Sequence, residues 1–342
     1  MSIWQNNSKA DRRALIQRTE EIEHINPIAV EKDWWVTAIL KALFQTSCSD
    51  HLIFKGGTSL SKGWALIERF SEDIDLAIDH RFFGIDKTTK SQREKLRKKS
   101  REYIMDVLAP ELDKILEQMG IVDYSLEKVV TVRTKDGVKP VDSDKDPTVL
   151  LIHYKSILDD TIEYIPPQVK IEISCLSMNE PTEQKQITSL VCKCFPEEDD
   201  ETTCEIRTVV PTRTFLEKAF LLNEEFQKEH PRSHRMSRHL YDLEKLMDTP
   251  FGMRSLLDGD LYAAIVKHRS QYYALKYFDY QKHHPSTIRI VPPTEVIADW
   301  ESDYQKMCNS FIYGKKLPFS QLLERMSELQ KRFRNVETTF DL

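Results

Sequence analysis

The sequence predicts an α+β protein, with a mixed sheet and flanking helices in its N-terminal half and a mainly helical C-terminal half. Three observations predict it. Apolar and polar residues alternate in Asp73-Ile-Asp-Leu-Ala-Ile78 and in Val169-Lys-Ile-Glu-Ile173, the two-residue period of a half-buried strand. A strand, a glycine turn, a helix and a second strand follow one another between His51 and Ile78. Beyond Pro211 the apolar spacing changes to the three-and-four rhythm of helices.

The elements follow in order. Residues 27–46 read as a helix packed on a sheet, because Val30, Trp34, Ile39 and Leu43 recur at helical intervals with Trp35 and Val36 beside them. His51-Leu-Ile-Phe54 is a short strand that runs into Lys55 and two glycines. A helix is expected from about Thr58, with Leu60, Trp64 and Ile67 on its apolar side. In the next strand Ile74, Leu76 and Ile78 share one face while Asp73 and Asp75 share the other. Residues 91–119 suit a long helix, and residues 121–132 and 149–154 suit strands broken by a Gly/Pro/Asp-rich connection at 136–147. The acidic run Glu197-Glu-Asp-Asp-Glu201 reads as a solvated loop. Helices are expected around 215–222, 236–247, 256–280 and 317–336. The division is therefore an α/β domain over 1–207 and a mainly helical domain over 208–342 that contributes to the active-site cleft.

Composition narrows the functional classes. The chain has 342 residues, 40% hydrophobic and 30% charged. Its first residues lack the order of a signal peptide, and no apolar stretch approaches the roughly 20 residues that cross a membrane, so a cytoplasmic protein is expected. Six cysteines without a regular framework suit reduced thiols, and Cys192 and Cys194 do not have zinc-site spacing. A net charge of -6 argues against a uniformly basic nucleic-acid surface. Residues 87–101, however, carry eight lysines and arginines against the single acid Glu94. Arg232, Arg235 and Arg238, with His230, His234 and His239 among them, form a second cluster. Such patches attract phosphate backbones, and they equally suit the polar exterior of a helix.

The chemistry concentrates in Lys55-Gly-Gly-Thr-Ser-Leu-Ser-Lys62, followed by Arg69-Phe-Ser-Glu-Asp-Ile-Asp-Leu76. Gly56 and Gly57 let the backbone approach a ligand. Thr58 and Ser59 open a helix whose amides and hydroxyls suit phosphate, and Lys62 adds positive charge. Asp73 and Asp75 supply hard oxygens to a divalent cation, and a third carboxylate on a neighbouring strand would complete the cage. Glu172 takes that part only if it meets them in space. The pattern is neither a GxxxxGK[ST] turn nor a GxGxxG fingerprint. Chemistry alone leaves open nucleotide transfer, metal-assisted phosphate hydrolysis, and a structural turn beside surface aspartates.

These motifs, with Glu172, Glu217-Lys218 and Arg238-His-Leu-Tyr-Asp-Leu243 in the same order, resemble the nucleotidyltransferase-like AbiEii/AbiGii toxins of bacterial type IV toxin–antitoxin and phage-defence systems. The resemblance spans residues 55–243. It implies a core similar to DNA-polymerase-β-type nucleotidyltransferases. Asp73, Asp75 and Glu172 would be catalytic acids and metal ligands. Gly56, Gly57, Thr58 and Ser59 would hold triphosphate, with Lys62 and Arg69 as supports. Lys218 would contact nucleotide phosphate, and Asp242 would position a basic group or water. It further implies Mg2+, with Mn2+ as the alternative ion, an NTP donor, an RNA acceptor such as a tRNA 3′ end, and a neutralising antitoxin. Transfer to a protein hydroxyl, and a non-enzymatic RNA- or antitoxin-binding role, are the competing outcomes. One departure stands at His239, where relatives often carry an acid.

Bland roles compete for several residues. The Lys218 stem could cover core while its ammonium reaches water, and Asp242 could pair with Arg238 at helical spacing. His283-His284 suits a surface turn. Tyr272, Tyr273, Tyr277, Phe278 and Tyr280 suit core packing in a buried helix. No serine has a nucleophile-elbow setting.

Overall fold

The computed structural model describes residues 3–85, 89–134, 137–158, 166–199 and 202–336, with the Ile3 side chain excepted. Lys87 of the basic segment, Asp136 of the expected connection, and Asp200 and Glu201 of the acidic run therefore lie outside the described residues. The chain forms two compact units, one of Met1–Gly63 with Ser71–Thr208 and one of Trp64–Phe70 with Val209–Leu342.

The first unit is built on a seven-stranded mixed sheet. Helices Ile3–Asn6 (α1), Lys9–Glu23 (α2) and Pro27–Leu43 (α3) precede strand Leu52–Lys55 (β1). A helical turn at Gly56–Thr58 (α4) widens into a π turn over Ser59–Gly63. Strand Asp73–Ile78 (β2) leads to Lys90–Tyr103 (α5), a π segment Ile104–Leu108, and Ala109–Gln118 (α6), which together fill the expected long helix. Then come Tyr124–Lys128 (β3), Thr131–Thr134 (β4), Gly137–Pro140 (β5), Thr148–Tyr154 (β6), Gln168–Ser174 (β7), Thr182–Thr188 (β8), Leu190–Cys194 (α7) and Thr203–Val209 (β9). The sheet order is β3-β6-β7-β2-β1-β9-β8, and β4 and β5 form a separate hairpin. β2 runs parallel to β7 and antiparallel to β1, so the two central neighbours of β2 meet it in fixed register.

Alternation places Ile74, Leu76 and Ile78 of β2 in the core with Val169, Ile171 and Ile173 of β7. Helix α3 packs against both strands. It starts at Pro27 behind Asn26, whose side chain accepts from the Ile28 amide at 2.9 Å. Trp34 stacks on Trp4 and Trp35 on Tyr154, with centroids 5.3 and 4.9 Å apart. Three consecutive charged residues within this apolar helix are buried, and each has a partner. Glu31 takes the Ser156 hydroxyl and the Ile157 amide, Lys32 meets Glu72 at 2.6 Å, and Asp33 meets Lys62. Burial without those partners would be costly, so Lys32 and Asp33 tie α3 to the segments around the glycine turn and Glu31 ties it to the loop that follows β6 at Ser156 and Ile157.

The second unit packs Pro211–Glu225 (α8), Ser237–Met247 (α9), Pro250–Leu257 (α10), Gly259–Tyr272 (α11), Ile297–Ser310 (α12) and Phe319–Arg334 (α13). Helices α9, α10 and α11 pack on α8, or on one another, and α12 and α13 pack on α9. The short strap Trp64–Phe70 belongs here. Arg69 makes an antiparallel bridge with Ile312, the Phe70 amide donates to the Phe311 carbonyl at 2.7 Å, and Trp64 meets Phe251 edge-on. This corrects the helix expected to continue from Thr58 through Ile67. The coil ends at Gly63, and Ala65 takes a left-handed φ of 51°, which no helix admits. Trp64 and Ile67 thus pack in the helical unit and do not line a helix beside the sheet.

Other expectations are also corrected. The single helix over 256–280 is two, because Asp258 caps a fresh start at Gly259 by accepting from the Leu261 amide. Its later aromatics lie past the helix end, where Phe278 is buried but Tyr277 is 49% exposed. His283 is buried and bonded to Glu224 at 3.1 Å, so it is not in a surface turn. All six cysteines are free. No helix of the described residues is long and apolar enough to cross a membrane.

Candidate active site

The floor of the site is one cross-strand row. Lys55 at the end of β1 lies opposite Asp75 of β2, and Asp75 lies opposite Glu172 of β7. Two residues along, Asp73 lies opposite Lys170. Residues level with one another in adjacent strands project to the same face, and so do residues two apart. Lys55, Asp73, Asp75, Lys170 and Glu172 therefore share the face opposite Ile74, Leu76 and Ile171, and sheet register unites Asp75 and Glu172 across 97 positions of sequence.

The glycine turn is fitted to this row. Gly56 has φ of 79°, and a Cβ built on it would lie 2.1 Å from Asp75 Oδ2, 2.8 Å from Cγ and 2.9 Å from Cβ. Only glycine lets the backbone adopt that angle and pass so close to a carboxylate. The Thr58 hydroxyl donates to the Asp73 carbonyl and lies 2.8 Å from Ser71 Oγ. The Ser59 hydroxyl donates to the Gly56 carbonyl at 2.9 Å. Both hydroxyls thus hold the turn in shape, which leaves main-chain amides as its outward chemistry. Lys62 is also engaged internally. Its ammonium pairs with buried Asp33 and donates to the Thr188 carbonyl at 3.2 Å, bracing the end of the turn.

Charge is finely balanced along the row. Lys170 Nζ sits 2.5 Å from Glu172 Oε1. Burial alone would raise the Glu172 pKa, but the Lys170 hydrogen bond and charge, the Lys55 charge and a hydrogen bond with Asp75 hold it below the usual carboxylate range. Asp75 and Glu172 are thus two carboxyl groups in mutual contact, an arrangement that calls for a shared proton or a cation. Hard oxygen donors of this kind suit a divalent cation. Among the described residues, no three His, Cys, Asp or Glu side chains are gathered tightly enough to enclose an ion as they stand. The ammonium groups of Lys170 and Lys55 supply the local positive charge.

A second charged cluster lies within the helical unit. Arg69 grips Asp242 through both arms, Nε to Oδ1 at 2.7 Å and Nη2 to Oδ2 at 2.8 Å, and Lys218 Nζ reaches Oδ2 at 2.8 Å. Asp242 is fully buried. Burial would raise its pKa, yet Arg69 and Lys218 hold it far below the ordinary carboxylate value. Burial pushes the Lys218 pKa down, with Asp242 opposing. The bland alternatives for these two residues do not hold. The Lys218 ammonium is buried with the rest of its side chain, and Asp242 is partnered across the unit instead of by its helical neighbour Arg238. The other expected basic cluster is used internally in part. Arg232 binds buried Glu225 at 2.7 Å, and Arg235 lies over the Phe311 ring.

The structure places Gly56, Gly57, Thr58, Ser59, Lys62, Asp73, Asp75 and Glu172 in the sheet unit and Arg69, Lys218 and Asp242 in the helical unit. Sequence reading passed over Lys55, Lys170, Lys32 and Glu72. The polar half of the Val169–Ile173 alternation marked Lys170 as plainly as Glu172, and the charged triplet inside an apolar helix marked Lys32.

A family profile described as nucleotidyl transferase AbiEii toxin, type IV toxin–antitoxin system, matches residues 38–325. Among solved structures, the chain is similar to MenT4, a nucleotidyltransferase toxin from Mycobacterium tuberculosis H37Rv, with 16% sequence identity and a TM-score of 0.43, over 95% of this chain and 99% of that one. No curated protein matches.

Proposed function

The chain belongs to the AbiEii nucleotidyltransferase toxins of type IV toxin–antitoxin systems, and on that premise we propose that it is a magnesium-dependent enzyme moving a nucleotide from an NTP to an RNA acceptor, with a tRNA 3′ end as the first candidate. Asp73, Asp75 and Glu172 would hold the ion. Once bound there, Mg2+, or Mn2+ in its place, would neutralise charge on the triphosphate. The amides of Gly56, Gly57 and Thr58 cradle the phosphates, Ser59 shapes that turn through the bonds of its amide and hydroxyl to the Gly56 carbonyl, and Lys62 adds charge if it leaves Asp33. The acceptor hydroxyl oxygen attacks the α-phosphorus, forming the new P–O bond as the α–β anhydride bond breaks and pyrophosphate leaves. Glu172 orients that hydroxyl and takes its proton. In the helical unit, Lys218 and Arg69 bind nucleotide phosphate and Asp242 fixes their positions.

The observation that carries these roles is the register of Asp75 against Glu172, with Gly56 pressed on Asp75. It brings a phosphate-compatible turn and two acids into one place, which a structural turn beside surface aspartates does not require. For the acceptor, support comes from helix α5. Arg97 is spent on Asp144 and Arg101 on the Val129 carbonyl, while Lys90, Lys95, Lys98 and Lys99 are exposed and suited to RNA phosphates. An antitoxin partner follows from the family.

The test is incubation of purified protein with labelled NTPs, magnesium, total RNA and cellular protein. Label is expected on RNA and should be lost on chelation. Label on protein would instead support transfer to a protein hydroxyl, and absence of label across metals and nucleotides would leave a non-enzymatic binding role.

A further inference from the structure

His239 stands on α9 one turn before Asp242, so the two share a helix face. Its side chain is 9% exposed, and its Nδ1 is a buried nitrogen without a hydrogen-bond partner. Its electrostatic surroundings are Lys218 of α8, Arg69 of the strap, and Arg238 and Asp242 of its own helix. Burial, reinforced by Lys218, Arg238 and Arg69, holds its pKa well below the ordinary histidine value, so the ring is neutral at pH 7 and carries one N–H. Asp242 accepts two bonds from Arg69 and one from Lys218, and the bonds the structure gives it do not include one from His239. Lys218, by contrast, has three N–H donors, and Asp242 is the acceptor the structure gives it. A buried polar atom left unmatched costs free energy, and beside a cationic cluster it calls for an anion that can accept.

We propose that His239 is a phosphate-binding residue, donating its Nδ1–H to a phosphate oxygen of the donor nucleotide while Lys218 supplies charge to the same group. The inference rests on the assignment of the Lys218 cluster to nucleotide phosphate and adds the neutral donor that cluster lacks. The ligand class is a polyphosphate. Neutral imidazole confers direction on the contact without adding a third cation to an interior that already holds Arg69 and Lys218.

The test is calorimetric titration of the full-length protein with inorganic tripolyphosphate and with ATP, for wild type, His239→Leu, His239→Asn and Lys218→Met, alongside thermal melts. His239→Leu should weaken tripolyphosphate and ATP alike by about tenfold, as expected for a hydrogen bond to a charged group, with no loss of melting temperature. His239→Asn, whose amide reaches the place of Nδ1, should keep most of the affinity. Binding by His239→Leu within twofold of wild type, while Lys218→Met loses it, overturns the role of His239 alone. Weakening of ATP but not of tripolyphosphate also overturns it, since the contact would then be to base or sugar. If wild type binds neither ligand, or Lys218→Met binds both normally, the phosphate assignment of the whole cluster fails and the inference fails with it.

Discussion

Gly56 tolerates no side chain without movement of its surroundings. A methyl group there would collide with three atoms of the Asp75 side chain while the backbone is held at positive φ, so either the turn or the carboxylate must shift. Displacement of a reacting group by about 1 Å costs roughly 100-fold in rate, and Gly56→Ala should lose transfer by at least about that factor in a labelled-NTP assay while remaining folded. Asp75→Asn keeps volume and removes one of the two contacting acids. Mn2+ affinity measured by electron paramagnetic resonance should fall, and an unchanged affinity would rule Asp75 out as a ligand. Asp242 has a different role. Removing its charge leaves Arg69 and Lys218 buried with no shared carboxylate, and breaking a buried pair in this way costs about 3–5 kcal/mol. Asp242→Asn should therefore shift the urea midpoint strongly, and a shift of under 1 kcal/mol would mean that the cluster relaxes into solvent.

Among the elements, those with a clean period were legible in sequence. The alternation in β2 and β7 revealed which residues face the core and which carry chemistry, although it could not reveal that Asp75 and Glu172 are level, because register belongs to the pairing and not to either strand. β8 illustrates the opposite limit. Thr182–Thr188 holds one apolar residue, Ile187, and as an edge strand it buries little else, so no period marks it. The segment after Gly63 misled because Leu60, Trp64 and Ile67 have helical spacing, yet the left-handed Ala65 sends the last two into another unit. Helix α5 offers a prediction at this scale. Replacing Lys95, Lys98 and Lys99 together by Gln should leave NTP binding intact and weaken RNA binding, with the slope of log affinity against log salt reduced by roughly 2. An unchanged slope, measured by fluorescence anisotropy, would move the RNA surface elsewhere.

For the whole molecule, acid sensitivity follows from two buried histidines of the helical unit. Burial holds both His239 and His283 below the ordinary histidine pKa, against the opposing pull of Asp242 on one and Glu224 on the other. The unfolded chain takes up these protons near pH 6.5 while the folded chain resists, so stability is full above that pH and declines as pH falls below it. Asp242 and Glu224, both depressed by their cationic partners, add further loss only as pH falls below about 4. The melting temperature should thus drop between pH 7 and pH 5, and His239→Leu should blunt the drop. A flat profile would show that the two histidines titrate in the fold as they do in the unfolded chain.

The strap from Trp64 to Phe70 has a consequence for any attempt to divide the protein. The chain crosses between its units three times, after Gly63, Phe70 and Thr208, and the first excursion delivers Arg69 to Asp242. A fragment beginning at Val209 would keep the helices but leave Asp242 with Lys218 alone, and would lose the edge that Arg69 and Phe70 add beside Ile312 and Phe311. Such a fragment should melt without cooperativity, and a synthetic peptide of residues 64–70 should restore part of the transition. The helical part is therefore no detachable module: seven residues borrowed from the first quarter of the sequence make its completion, and the pairing of its deepest carboxylate, wait on both halves of one gene product.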